Sequence, residues 1–146
     1  MKVMQACPVA AKTAGDAAEF AVAAMFHIAR ERHDSRPYDV ASDVSCDGLE
    51  ISVKASGFTL MAGSMCEGRD TFDGIWNLYA ERVHSNTFAY VTADFLVYMM
   101  TLAEFELFVR TFCRVERESE KNGGTMKIRC RKESTKMLNW LATAAS

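Results

Sequence analysis

The sequence predicts a mixed α/β domain, with a central β-sheet and helices on its faces. Three observations point there. Apolar residues recur at spacings of three and four in several stretches, the mark of helices with one buried face. Between them stand short runs rich in β-branched and aromatic residues, bounded by turn formers. The order of the two kinds is helix, two or three strands, helix, two strands, helix, hairpin, helix. A chain of 146 residues, 49% apolar and 25% charged, fits a single domain covering 1–146 with a core of its own.

The chain begins with residues 1–14, small and weakly patterned, which are expected to form a loose arm. Gly15-Asp16 then opens a helix. Asp16 is the candidate N-cap, and Glu19 follows at capping-box spacing. Phe20, Ala23, Ala24, His27 and Ile28 give that helix its stripe, and it should run to about Arg32. Pro37–Val40 reads as a strand and Ser42–Gly48 as a turn region. Leu49–Lys54 reads as the next strand, with Leu49, Ile51 and Val53 toward the core. Phe58–Met61 is a candidate third strand.

Phe72, Ile75, Trp76, Tyr79 and Val83 mark a helix over 71–83. Phe88–Thr92 and Phe95–Met100 read as a hairpin linked by Ala93-Asp94. Thr101 and Glu104 form a capping box for a helix ending near Phe112. Residues 101–146 add this helix, a hairpin and a last helix over about 134–142. The hairpin joins 115–120 to 125–131 through Asn122-Gly123, a strong turn signal.

Charge and cysteine usage narrow the class. The net charge is -2, with an acidic excess before residue 100 and a basic one after it. No apolar run reaches the roughly 18 residues that span a bilayer. The first 13 residues lack the charged head of a signal peptide, so the expected location is the cytoplasm. Cys7, Cys46, Cys66, Cys113 and Cys130 form no CxxC pair and no zinc-spaced cluster, which predicts reduced thiols.

The strand over 49–54 carries the chemistry. Side chains alternate along a strand, so Glu50, Ser52 and Lys54 share one face. Charges away from water are costly unless paired or used. Asp39, at the end of the preceding run, could reach the same face. Carboxylates beside a lysine suit metal-dependent phosphodiester hydrolysis, in which the acids hold Mg²⁺ and the lysine serves the water or the phosphate.

Pro37-Tyr38-Asp39 and Ser52-Val53-Lys54 resemble the signature of the PD-(D/E)XK nuclease superfamily, which has the restriction-endonuclease-like fold. The first looks like the PD element with one residue inserted. The second sits where that family has acid-x-Lys, with Ser52 in place of the acid. Glu50, about 7 Å back along the strand, is the nearest carboxylate on that face. The resemblance covers roughly residues 15–100. It implies a Mg²⁺-dependent DNA nuclease, with Asp39 and Glu50 as metal ligands, Lys54 at the phosphate or water, and Glu19 from the first helix in support. Two other readings stand beside it. One is an inactive module of the same fold that binds nucleic acid or a protein. The other is an unrelated α/β interaction protein in which Glu50 and Lys54 are an ion pair.

A second candidate surface lies near the C-terminus. Lys127, Arg129 and Arg131 alternate with Met126, Ile128 and Cys130, and Lys121 stands at the turn. Cations at about 7 Å intervals match the scale on which duplex phosphates recur, so this ribbon is a candidate DNA contact. The competing reading pairs it with Glu116, Glu118 and Glu120 across the hairpin.

Overall fold

A computed structural model describes residues 1–27, 42–60, 66–119, 121 and 125–146. The described chain is a mixed α/β structure with two sheets. The elements are β1 (Lys2–Gln5), α1 (Ala14–Met25), β2 (Val44–Cys46), β3 (Leu49–Lys54), β4 (Thr59–Leu60) and α2 (Phe72–Arg82). They continue with β5 (Thr87–Val91), β6 (Leu96–Met100), α3 (Leu102–Phe112), β7 (Cys113–Arg117), β8 (Met126–Cys130) and α4 (Thr135–Ala145). The first sheet has the order β1-β6-β5-β3-β2, the second β4-β8-β7. Among the described strands, only β3 and β5 pair in parallel, because α2 carries the chain from one to the other as a crossover.

The first sheet is covered on both faces. On one side, Ala18, Ala21 and Val22 of α1 pack on Val44, Ile51, Val53, Ala89, Val91 and Val97. On the other, α2, α3 and α4 join the second sheet around Tyr79, Phe88, Tyr90, Phe105, Phe108, Ile128 and Leu141. The Phe88 and Phe105 rings stack at 4.7 Å between centroids, an arrangement that contributes about 0.5–1.5 kcal/mol beyond the area it buries.

Local signals set most boundaries. Thr101 and Glu104 form the complete capping box at the start of α3. Thr71 and Ser134 cap α2 and α4 through their hydroxyls. Four expectations change. Thr13, not Asp16, caps α1: its hydroxyl accepts the amide of Asp16 at 3.0 Å. The helix then starts at Ala14, three residues early, so Glu19 lies beyond the capping-box position and projects from the second turn. The helix stops at Met25, and His27, at φ 55°, takes the left-handed conformation that ends helices. Residues 2–5, expected as a loose arm, form β1 because the open edge of β6 offers them a ladder. The short strand at 59–60 leaves the first sheet for β8. The expected strand at 37–40 lies outside the described residues.

Candidate active site at the β2–β3 hairpin

The turn that positions the site is Asp47-Gly48. Its residues have φ 46° and 84°, the paired positive values of the two-residue turn that suits a twisted hairpin. Glycine reaches φ 84° without steric cost. The turn fixes the register Cys46↔Leu49, Ser45↔Glu50 and Val44↔Ile51. Within the stretch expected as turn, Val44–Cys46 is therefore strand.

Asp43 stands where this ladder ends. Its amide donates to the Ile51 carbonyl at 2.9 Å. Its carboxylate accepts the Val53 amide at 2.7 Å, so an acid side chain occupies the place a backbone carbonyl would hold. That bond fixes Asp43 beside the residue preceding Lys54. Burial holds the Lys54 ammonium below its ordinary value of 10.5, while the negative charges of Asp43 and then Glu19 act the other way. Three charged groups from α1, the start of β2 and the end of β3 thus share one electrostatic neighbourhood.

A buried polar ladder runs alongside. Ser85 shares hydrogen bonds with Ser42 at 2.9 Å and Ser52 at 2.6 Å, and all three serines are buried. Tyr79 reaches down from α2. Burial pushes its hydroxyl well above the ordinary value of 10.0; Ser52 lowers it and Asp43 raises it further. Such groups leave water at a cost unless they find partners. The serines find one another.

The candidates from the sequence separate into three groups. Glu19 and Asp43 both act on the charge of Lys54. Glu50 sits four residues from Lys54, about 13 Å along the strand; Ser45 donates its hydroxyl to that carboxylate at 2.5 Å. Asp39 lies outside the described residues. Asp43 escaped sequence reading because 42–48 passed for a loop. The signal was Asp47-Gly48, since counting back three paired residues from a two-residue turn brings Asp43 to the end of the strand. Asn86 orders the hairpin: its side chain accepts the Glu50 amide at 3.0 Å and donates to the Gly48 carbonyl at 2.9 Å.

The basic ribbon divides as well. Lys127 bonds Glu118 at 3.1 Å, with side chains only 12% and 11% exposed, so it is a neutralised cross-strand pair. Arg129 and Arg131 are exposed, and so is Lys121. Arg129 lies directly across from Arg114, an exposed side chain 3.6 Å from Glu116. Like charges opposite each other disfavour pairing. The chain leaving β8 rests on the loop that follows Lys54. Cys130 donates its amide to the Phe58 carbonyl at 2.9 Å, and the Glu133 amide donates to the Ser56 hydroxyl at 2.9 Å.

Among the described residues, no three or more His, Cys, Asp and Glu side chains cluster so as to hold a metal ion. Mg²⁺ retained largely through its waters asks for only one or two carboxylates. No helix among the described residues is long and apolar enough to cross a membrane. Comparison with family models, with curated proteins and with solved structures finds no match.

Proposed function

We propose that the chain hydrolyses phosphodiester bonds in DNA with the help of a divalent cation, Mg²⁺ being the first candidate. The observation that supports this is that the buried Lys54 ammonium at the end of β3 feels the carboxylates of Asp43, just before β2, and of Glu19 on α1. The element order also supports the PD-(D/E)XK resemblance. A helix bearing Glu19 precedes a hairpin, and the strand ending in Lys54 leads through a crossover helix to a parallel neighbour. In that reading Asp43 takes the first acidic position, nearer the hairpin than Asp39.

Asp43 and Glu19 are the carboxylates that would hold the cation. When bound, such an ion offsets phosphate charge and acidifies a coordinated water. Lys54 performs the chain's own part. As an ammonium it donates to a phosphate oxygen, and a lysine with a depressed pKa also releases a proton more readily than an exposed one. The Val53 amide keeps Asp43 from rotating away. Arg114, Arg129 and Arg131 would meet the DNA backbone, whose phosphates fix position without reading sequence. Five free cysteines suit a reducing compartment such as the cytoplasm.

The test is cleavage of supercoiled plasmid in Mg²⁺ or Mn²⁺. Nicked and linear products should appear with wild type and vanish with a chelator. Lys54→Ala and Asp43→Asn should each lower the rate by about a hundredfold or more, the usual range for a lost acid–base group. Cleavage that survives both substitutions would end this reading.

One observation favours a second reading, that of an inactive DNA-binding module. Ser52 stands at the position of the second acid, and its hydroxyl is taken by Ser85. That reading predicts salt-sensitive DNA binding with no cleavage in either metal.

A further inference from the structure

We propose that Cys113 and Cys130 form a thiol pair that closes to a disulfide under oxidising conditions, cross-linking β7 to β8. This inference is independent of the nuclease reading.

Cys113 and Cys130 are direct cross-strand partners. Two backbone bonds show which kind of partners they are. At the neighbouring pair, Arg131 donates its amide to Phe112 across the two strands. Cys130 points its own amide the other way, to Phe58 of the adjoining segment. Narrow and wide pairs alternate along an antiparallel ladder, so 113 and 130 form the pair without mutual backbone bonds. There the Cα atoms approach to about 4.5 Å and the side chains lie closest. A disulfide needs Cα atoms about 4.4–6.8 Å apart. The two thiols face each other closely enough to interact, and that interaction, with burial, pushes the Cys113 thiol above its ordinary value.

Exposure assigns the roles. Cys130 is 1% exposed, whereas Cys113 is half-buried, so Cys113 meets the oxidant first. The oxidant is a small-molecule disulfide, such as oxidised glutathione. The Cys113 thiolate attacks one of its sulfurs, forming a mixed disulfide and expelling one thiolate. The Cys130 thiolate then attacks the Cys113 sulfur and expels the second. The protein loses two protons and two electrons, and the small disulfide becomes two thiols. Because the Cys113 thiol resists deprotonation, closure quickens as pH rises. Cys7, Cys46 and Cys66 stand on other elements or connections and take no part.

The experiment incubates folded protein with oxidised glutathione at pH 8.5 and maps disulfides by peptide mass spectrometry. A 113–130 link is expected in wild type and in a variant with Cys7, Cys46 and Cys66 changed to Ser. It should be absent from Cys113→Ser and Cys130→Ser. Cross-linked protein should melt several degrees higher, and dithiothreitol should reverse the shift. A stable glutathione adduct on Cys113 without closure would overturn the proposal. So would unreacted thiols at both positions while the protein stays folded by circular dichroism.

Discussion

The carboxylate of Asp43 accepts the backbone amide of Val53 at 2.7 Å, one residue before Lys54. A single hydrogen bond therefore serves both the sheet, as its last rung, and the site, as the anchor of an acid. The two roles can be pulled apart by substitution. Asp43→Asn keeps an acceptor, and it should cost less than about 1.5 kcal/mol in urea unfolding. Asp43→Ala leaves the Val53 amide unpaired and should cost about 1–3 kcal/mol. If both lose cleavage equally while differing in stability, the charge matters to the chemistry apart from the fold.

Lys54 should leave a signature in alkaline solution. Its folded pKa lies below its unfolded value near 10.5. Between those two values the unfolded chain binds more protons, so stability contributed at this position rises with pH. Below the folded pKa the penalty is complete and constant. Wild type should thus gain stability relative to Lys54→Met as pH is raised toward 10.5, measured by urea unfolding at each pH. Parallel curves for the two proteins would place the ammonium in water.

Gly48 is open to a clean backbone test. A Cβ built there meets nothing within 4 Å, yet φ is 84°. Gly48→Ala should therefore cost about 1–2 kcal/mol from conformation alone, the usual penalty for an L-residue in left-handed geometry. Because the turn fixes the register that sets Asp43, cleavage should fall along with stability.

Ser85 bridges two buried hydroxyls. Ser85→Ala strands both, and should cost about 1–3 kcal/mol. Ser52→Asp tests the missing acid directly. If Asp43 and Glu19 bind a cation, the added carboxylate should tighten Mn²⁺ binding by calorimetry, at the expense of stability from burying a charge. Unchanged metal affinity would argue against a cation at this position.

The arginines can be separated from Lys127 by salt. Each phosphate contact contributes a log–log slope of about -0.9 to duplex binding. Arg129→Ala should flatten the slope by about that amount in fluorescence anisotropy. Lys127→Ala should leave it unchanged, since Glu118 already neutralises that ammonium.

Much of this architecture was written locally. The capping box at Thr101 and Glu104, the aromatic stripe of α2 and the runs that became β5 and β6 all depend on neighbours in sequence. What escaped depends on distant partners. Lys2–Gln5 has three exposed residues of four, too little pattern to declare a strand until β6 stands beside it. Thr59-Leu60 is too short to choose a sheet by itself. At the site, Lys54 and Glu19 were legible as charged residues on an otherwise apolar strand and helix. Asp43 was not, because its role comes from the fold of a hairpin whose turn begins four residues later.

The pairing of Thr59 with Arg129 bears on how the protein is made. β4 leaves the ribosome early, but its partner β8 follows α2, β5, β6, α3 and β7. Until then Leu60, 1% exposed in the finished fold, has no sheet to cover it. Pairings so distant in sequence form slowly, and unpaired strands with apolar residues invite association with other chains. The first sheet has all of its strands by Met100 and can close while the second is still being synthesised. A nascent chain halted after α3 would hold the Lys54 neighbourhood without the arginine face, and would leave Leu60 uncovered for chaperones to meet.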